Sequence, residues 1–438
     1  MAETNQFKWG VTTSAFQTEG AHDIDGKGVS IWDEFTKKKR KIKDGTNAHF
    51  ATAFYYQYKK DIDIAKNLGL DIFRFSISWA RILPLGTIYV NQKGIDFYNN
   101  VINYCLEVGI EPWITTYHWD LPNELEKQGG WTNREIIKWY ADYVAILRDH
   151  FADRVKNWIL INEGLVFTGG GYLLGLHAPG KRSANKFVAS VHHVLMAQAE
   201  GFRVLKKIDG LNVGTAISCT KIEPSNTTLP NIKIAKRIDA LMNRLFIEPH
   251  LGYGYPTDDL PLMKRVSEYY KEDDLELIKT DFDFWGIQTY TREVVKKAWY
   301  IPYLGAMLVK PKKRGAKVSV MGWETYPKGT SYFLERFSKY NPNKPLWLSE
   351  CGIALSENEE DQLRIDYYKQ VIKGMKELKA KGLNIKGMLL WTLVDNFEWA
   401  EGYIPKFGIV RLNKNTYKRT LKKSALWLKN SILNKNFH

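Results

Sequence analysis

The chain has 438 residues, of which 44% are hydrophobic and 13% are aromatic, including 15 Trp. This composition excludes a disordered or fibrous chain and predicts a large packed core. The 63 Lys and Arg residues outnumber the 48 Asp and Glu residues, which gives a formal net charge of +15. The basic residues are spread along the chain, apart from dense runs at 37–43 and 418–429. We interpret these runs as solvated faces, so we expect no nucleic-acid partner.

Cysteine usage and the chain ends bear on location. Cys105, Cys219 and Cys351 are widely separated and odd in number, which favours a reducing compartment over a disulfide framework or a metal cage. The polar start MAETNQ lacks the basic and apolar regions of a signal peptide. No apolar stretch approaches the roughly 18 residues that a membrane span needs. We therefore expect a cytoplasmic protein without a membrane partner.

Short apolar runs recur along the chain, and longer segments with helical spacing separate them. Eight such runs follow in order: FKWGVTTSAFQ, DIFRFSIS, EPWITTYH, VKNWILINE, LNVGTAISC, FDFWGIQTY, PLWLSECG and IKGMLLWTL. Each is continuously apolar rather than alternating, which is typical of parallel strands buried on both faces. The intervening segments, such as 51–69 and 133–151, place aromatic and aliphatic side chains on one helical face.

Eight strand and helix units predict a closed (β/α)8 TIM barrel with extended βα loops. An open doubly wound sheet would need a Gly-rich fingerprint after its first strand, and the sequence has none there. No linker or low-complexity tract divides the chain, so we predict a single catalytic domain over residues 1–438.

In a (β/α)8 barrel, the residues that follow each strand surround the reaction site. Here they are mostly polar: Gln17, Arg74, His118, Asn162, Glu163, Tyr290, Glu350 and Trp391. Glu163 follows the fourth strand and Glu350 the seventh, so they can face each other across the barrel mouth. Such a pair fits glycosidic bond cleavage. Position alone leaves open the alternative that each Glu pairs with an arginine or caps a loop.

Six collinear segments carry a resemblance that covers essentially the whole chain: SAFQTEG, FRFSISWARILP, YHWDLP, INEG, LSECG and WTLVDNFEWAEGY. With these segments, the sequence resembles the family 1 glycoside hydrolases, the β-glucosidase family. The resemblance implies a retaining β-glucosidase that forms a covalent glycosyl-enzyme intermediate and needs no metal or organic cofactor. The expected partner is a small-molecule β-glucoside, and homo-oligomer formation stays open.

The resemblance also implies roles for individual residues. Glu163 stands in the position of the acid/base and Glu350 in that of the nucleophile, while Tyr290 and Arg74 hold Glu350 ionised and aimed. Residues in the positions of substrate-binding groups are Gln17, His118, Asn162, Trp323, Trp391, Glu398 and Trp399. Trp323, in MGWETYP, resembles the platform for the leaving group. A carboxylate at Glu398 would repel a 6-phosphate, which favours an unphosphorylated glucoside.

Three departures from the family pattern lie close to these positions. Gly164 replaces the usual Pro after the acid/base, and the loss of a fixed φ is expected to free the backbone beside Glu163. Cys351 replaces a common Asn, and we interpret it as a small filler that could be oxidised. Gln288 and Thr289 replace Asn and Tyr, a change that we expect to affect leaving-group specificity more than the reaction.

Three alternatives stay open on the sequence. The enzyme could act on 6-phospho-β-glucosides, or it could transfer glycosyl groups through the same intermediate. The third alternative is a sugar-binding protein on a decayed enzyme scaffold. Such a protein should have lost a catalytic Glu, whereas both Glu163 and Glu350 are present.

Overall fold

A ring of eight parallel strands forms the centre of the molecule in the computed structural model, which describes residues 7–433. The described residues form eleven strands in all: β1 (Lys8–Thr12), β2 (Ile72–Ser76), β3 (Glu111–Tyr117), β4 (Asn157–Asn162), β5 (Asn212–Pro224), β6 (Phe284–Lys297), β7 (Ala306–Leu308), β8 (Leu346–Cys351), β9 (Ile385–Trp391), β10 (Val410–Leu412) and β11 (Arg419–Leu421). The short strands β7, β10 and β11 lie outside the ring. The ring runs β5-β4-β3-β2-β1-β9-β8-β6, and pairing of β5 with β6 closes it. Each of the eight predicted runs contains one barrel strand or its first part, which confirms the (β/α)8 fold.

Helices connect successive barrel strands and cover the outside of the ring. They are α1 (Ala15–Thr18), α2 (Ile31–Thr36), α3 (Phe54–Asn67), α4 (Trp79–Ile82), α5 (Gln92–Glu107), α6 (Asn123–Lys127), α7 (Ile136–Phe151), α8 (Gly164–Thr168), α9 (Ala184–Leu205), α10 (Leu229–Asp239), α11 (Asp274–Ile278), α12 (Lys328–Tyr340), α13 (Gln362–Ala380) and α14 (Lys423–Leu433). Within residues 7–433, no helix combines the length and the apolar character that crossing a bilayer requires.

The strands are buried on both faces, which explains their continuous apolar runs. Inside the ring, alternate strand residues form an apolar layer made of Ile72, Trp113, Ile159, Ala216, Phe284, Trp347 and Leu389. The opposite strand faces pack against the helices in a much larger apolar cluster. Burial from both sides fixes the strand register, and the register places the polar residues that follow the strands at one end of the barrel.

Two strands are longer than the sequence predicts. The apolar runs end at Cys219 and Tyr290, but β5 and β6 stay paired as far as Pro224 and Val295. The short strand β7 then pairs antiparallel with β6. This extension, residues 220–224 with 291–297 and β7, rises beyond the barrel ring beside its carboxyl end. It provides one wall of the cavity described below.

Candidate active site

A cavity of about 430 Å³ opens at the carboxyl end of the barrel. Glu163, which follows β4, and Glu350, in β8, both line it. Their side chains are almost completely buried, with 7% and 3% of their surface exposed. Burial of two carboxyl groups in one cavity is costly unless partners or function retain them. The contacts of each carboxyl group therefore determine what this pair can do.

The Glu350 carboxylate is held by donors on both oxygens. Arg74 Nη1 lies 3.0 Å from Glu350 Oε1, and Tyr290 Oη donates to Oε2 at 2.8 Å. Burial raises the pKa of Glu350, and the Arg74 charge and the hydrogen bonds from Tyr290 and Gln288 oppose that rise. These donors stabilise the ionised form and fix its orientation. Glu350 is thus arranged as an oriented carboxylate.

Glu163 has the opposite environment. Burial first, and then the negative charge of Glu350, hold its pKa well above the usual range, although a hydrogen bond from Ser218 and the charge of Arg74 act the other way. Glu163 also has a left-handed backbone with φ of 49°, which is rare for a residue with a side chain and recurs at functional sites. Its backbone amide donates to the carbonyl of Ala216 in β5 at 2.9 Å. The surroundings of Glu163 therefore favour its protonated form, whereas Arg74 and Tyr290 favour the ionised form of Glu350.

Asn162 connects these groups to His118. Its Oδ1 accepts from Arg74 Nη2 at 2.6 Å and from Gln288 Nε2 at 2.7 Å. With both acceptor positions engaged, its amide nitrogen donates to His118 Nε2 at 3.1 Å. The proton of the neutral His118 ring then lies on Nδ1, which has no partner among the described residues. Burial lowers the pKa of His118 well below its usual value, so the ring that lines the cavity is neutral.

Glu398 follows β9 and lines the cavity. Gln17 Nε2 donates to its Oε2 at 3.2 Å, and the indole of Trp391 also donates to it. Gln17 is itself fixed by Ser14 and by the carbonyl of Phe397. Burial raises the pKa of Glu398 to about 8. Gln17 and Asn162 therefore act on the cavity indirectly. Gln17 orients Glu398 and Asn162 orients His118, and both of those side chains line the cavity.

Stacked aromatic rings form the wall beside Glu398. Trp399 lies 4.5 Å from Trp119 and 4.6 Å from Trp32, measured between ring centroids. Trp32 is placed by helix α2, where Ser30 and Asp33 form a capping box that fixes the first turn. Trp399, Trp391 and Trp119 line the cavity. Such a wall provides flat apolar surface next to polar groups, which is the combination that a sugar ring contacts.

Trp323 lies away from this wall, against Tyr290 and Phe407, with ring centroids 5.8 and 6.5 Å away. Trp323 is half-buried and lines the cavity. The structure thus brings all of the predicted site residues into one connected group. Nine of them line the cavity or contact Glu350 directly, and Gln17 and Asn162 support the others.

Gly164 begins helix α8 immediately after Glu163. A Cβ atom built at this position would lie 2.5 Å from Cε1 of Phe246 and 2.7 Å from its Cδ1. The Phe246 ring is buried, so it occupies the space that any larger residue needs. The expectation that Gly164 frees the backbone is therefore incomplete, because the aromatic ring packs against the glycine and restrains it.

The other two departures lie at Gln288 with Thr289 and at Cys351. Gln288 donates to Asn162 and Glu350, so it contacts the buried carboxylate directly, and its expected effect on leaving-group specificity stays a prediction. Thr289 bonds Thr330 behind the strand at 2.8 Å. Cys351 is fully buried with Sγ 3.5 Å from Tyr367 Oη. It faces α13, which fits a small filler.

Ser218 is a site residue that the sequence pattern did not reveal. It follows the apolar part of β5, pairs in register with Gln288 and donates to Glu163. The rule that the residues after each barrel strand surround the site applies to it, but its run ends in small residues that carry no obvious chemistry. Glu293 was also missed, because it lies in the extension beyond the predicted strand.

Comparison with known proteins agrees with this geometry. The model of glycosyl hydrolase family 1 matches residues 3–437. The chain is 39% identical to the 1,4-beta-D-glucan glucohydrolase of Thermotoga neapolitana, over 98% of this chain and 97% of that protein. It is also 39% identical to beta-glucosidase A of Thermotoga maritima, with the same shares covered.

Solved structures give the same result. The beta-glucosidase from Thermotoga maritima in complex with glucoimidazole has a TM-score of 0.91 and 39% identity, and 98% of each chain is covered. A match of this extent in sequence and structure includes the barrel, the extended loops and the cavity together. The chain is therefore a glycoside hydrolase and belongs to glycosyl hydrolase family 1.

Proposed function

We propose that this enzyme releases terminal β-D-glucosyl residues from β-glucosides with retention, with Glu350 as nucleophile and Glu163 as acid/base. One observation carries the assignment: two buried carboxyl groups line one cavity, where the pKa of Glu163 is held well above its usual range and both oxygens of Glu350 accept hydrogen bonds. Arg74 and Tyr290 support the ionised form of Glu350. The relatives named 1,4-beta-D-glucan glucohydrolase and beta-glucosidase A, from two Thermotoga species, support the choice of substrate.

The first step forms the covalent intermediate. Glu350 attacks the anomeric carbon from the face opposite the leaving group, while the bond from that carbon to the glycosidic oxygen breaks. Glu163 gives its proton to that oxygen, so the alcohol leaves neutral. Binding energy from His118, Glu398 and the tryptophan wall positions the ring for this attack.

The second step uses the same groups in reverse. Ester formation removes the negative charge of Glu350, which is the second cause of the raised pKa of Glu163. Glu163, now ionised, takes a proton from water as the water oxygen bonds to the anomeric carbon and Glu350 departs. The released sugar is the β anomer. Proton NMR of the first product formed tests this, and an initial α anomer would contradict the mechanism.

Transglycosylation uses the same intermediate with an alcohol in place of water, and the product ratio in the presence of added acceptor measures it.

A non-catalytic sugar-binding protein would not need a protonated and an ionised carboxyl group in one cavity. We therefore favour hydrolysis.

The charges around the cavity favour an unphosphorylated sugar. Five glutamates line it, Glu163, Glu293, Glu350, Glu398 and Glu401, whereas no Lys or Arg is among the described residues that do. A phosphate dianion placed there has no cation to pair with and meets carboxyl groups. This local charge contrasts with the net charge of +15 for the whole chain.

We expect kcat/KM for 4-nitrophenyl β-glucoside to exceed that for its 6-phosphate by at least about 100-fold. The release of nitrophenol by the two substrates measures this ratio. Glu398→Gln is a useful control, because it removes one carboxyl group without supplying a cation, so the preference should persist. Comparable turnover of both substrates would favour the 6-phospho-β-glucosidase alternative.

Gly164 gives a prediction about the backbone beside Glu163. Gly164→Ala forces its Cβ against the Phe246 ring, so we expect a loss of about 1–3 kcal/mol in the free energy of unfolding and a lower kcat. Thermal unfolding and glucoside hydrolysis measure the two effects. Gly169→Ala is a matched control, since its φ is −67° and its Cβ would meet only Leu165 at 4.0 Å. Equal losses in both variants would contradict the role of Phe246.

Domain organisation and location are also proposals. We propose one catalytic domain over residues 1–438, supported by closure of the ring between its first and last strands and by the packing of α14 against α13. We propose a cytoplasmic location because all three cysteines are free and buried, as in proteins of reducing compartments.

A further inference from the structure

The cavity continues past the catalytic carboxyl groups toward the extension of β5, β6 and β7. The extension lines this part, whereas Glu398 and Trp399 follow β9. If the glucosyl ring binds against the tryptophan wall, as the proposed function has it, the leaving group occupies this part. Its lining is mostly apolar and comes from α8, β5, α10 and the helical turn after it, β7 and the loop before Trp323: Val166, Ile222, Ile238, Met242, Leu308 and Met321. Apolar surface of this extent favours an apolar aglycone over a second sugar.

Glu293 interrupts this apolar wall. It lies on β6 in register with Ile222 of β5, and it lines the cavity. Side chains alternate along a strand, so the preceding residue Arg292 points the other way, where it pairs with Glu223 and Glu324 at 2.8 Å. The alternation therefore places the ion pairs of Arg292 behind the strand, on the face that points away from the cavity. The Glu293 carboxyl group lies on the face that points toward the cavity.

Glu293 has no hydrogen bond or ion pair among the described residues. Its nearest charged neighbours act at longer range: the charge of Arg314 lowers its pKa and that of Glu324 raises it. Burial is the largest influence and brings the pKa of Glu293 to about 7. By contrast, Glu401, another carboxyl group of the lining, pairs with Lys43 at 2.9 Å.

We propose that the leaving-group half of the cavity selects an aglycone with an apolar body and a positively charged nitrogen, and that Glu293 binds that nitrogen. Three observations support this: the apolar lining, the absence of Lys and Arg from the described lining, and the unpaired carboxyl group set into the apolar wall. A cation bound there gives the Glu293 carboxylate a charged partner. Glu223 and Glu324, behind the strand, already have one in Arg292. The inference rests on the proposed glucosidase function.

The test compares ω-aminoalkyl β-glucosides of two to six methylenes with the ω-hydroxyalkyl glucosides of the same length. Glucose release gives kcat/KM for each pair, and the ratio of the two constants cancels the titration of Glu163 and Glu350, which both substrates need. The ratio is measured from below to above pH 7 in the wild type, in Glu293→Gln and in Glu401→Gln. Thermal unfolding of each variant accompanies the kinetics.

The charged groups around Glu293 set the expected pH dependence. The charges of Arg314 and Glu324 act on it at longer range. Arg292 on β6 and Lys221 and Glu223 on β5 pair with one another behind the strand, and Glu163, Glu350, Glu398 and Glu401 line the same cavity. As the pH rises through about 7, Glu293 ionises while the alkyl ammonium stays charged, so the attraction grows. At one chain length we expect the ratio to rise with pH to about tenfold above that of Glu293→Gln. The ratio in Glu401→Gln should follow the wild type.

Three results would overturn the proposal. A ratio of aminoalkyl to hydroxyalkyl kcat/KM near one at every chain length and pH would show that the cavity does not select a cation. A ratio in Glu293→Gln equal to that of the wild type would show that Glu293 does not bind it. Equal losses of kcat/KM for both substrates in Glu293→Gln would indicate a structural role. If the hydroxyalkyl glucosides are not hydrolysed and Glu350 is not labelled by a fluoroglucoside, the proposed function fails, and this inference fails with it.

Discussion

Glu350→Ala is expected to lower kcat for an aryl β-glucoside by about 10⁴-fold or more, the largest effect of any single substitution. The variant lacks the group that bonds to the anomeric carbon, so neither step of the reaction has its covalent path. Arg74 and Tyr290, which bond Glu350 now, would face an empty position. Stopped assays with purified variant and wild type measure the loss.

A small nucleophile distinguishes loss of the carboxylate from loss of the fold. Added azide can enter the space left by the side chain and attack from the same face, so the expected product of Glu350→Ala is the α-glucosyl azide. Glu401→Gln serves as a matched control, because this glutamate lines the same cavity but pairs with Lys43. Activity of Glu350→Ala within about tenfold of the wild type would contradict the assignment.

Glu163→Ala is expected to slow hydrolysis of alkyl glucosides by about 10²–10⁴-fold, because the departing alkoxide then receives no proton. A dinitrophenyl glucoside needs little protonation, so formation of the intermediate should persist and its hydrolysis should become limiting. Azide should then yield the β-glucosyl azide, the opposite anomer from the Glu350 variant. Formation of the same anomer in both variants would refute the distinct roles.

The pH profile follows from the same pair. Glu163 works in its protonated form, and its pKa is held well above the usual range by burial and by Glu350, so wild-type activity should fall as the pH rises through that pKa. Glu350 works in its ionised form, so activity should also fall as the pH drops below its own raised pKa. The two interacting groups titrate as a pair. In Glu163→Ala, the alkaline fall with an activated substrate should disappear.

The barrel was predictable because strands that are buried on both faces have continuously apolar sequences. Runs such as WILI before Asn162 and PLWL before Ser349 are apolar at every position, and each lies in or beside an observed strand. The polar residues that follow are then exceptional, which is why Glu163 and Glu350 stand out as candidates in the sequence alone. The family resemblance supplied the roles that position alone did not.

The extension of β5 and β6 was not predictable in this way. Beyond the barrel its residues alternate between charged and apolar, as Lys221, Ile222 and Glu223 do, because only one face is covered. Ion pairs between the strands, such as Arg292 with Glu223, stabilise the other face. In sequence such a segment resembles a loop, so the sequence did not place Glu293 on a strand beside the cavity.

The contacts that tune the site were also beyond the sequence. Gln288 reaches Asn162 across the barrel, and Phe246 packs against Gly164 from a distant segment. Such pairs depend on the shape of the folded chain, and the residues involved carry no motif of their own. The consequences of replacing Pro by Gly164 or Asn by Gln288 therefore became clear only from packing and hydrogen bonds.

Covalent trapping tests the central claim most directly. The enzyme is incubated with a 2-deoxy-2-fluoro-β-glucoside that has a good leaving group, and intact mass is followed by peptide mapping. Such a reagent needs little help from Glu163, so the nucleophile is tested alone. We expect one stable fluoroglucosyl adduct per chain, on Glu350. An adduct on another residue, or turnover of β-glucosides without any adduct, would contradict a retaining mechanism with Glu350 as its nucleophile.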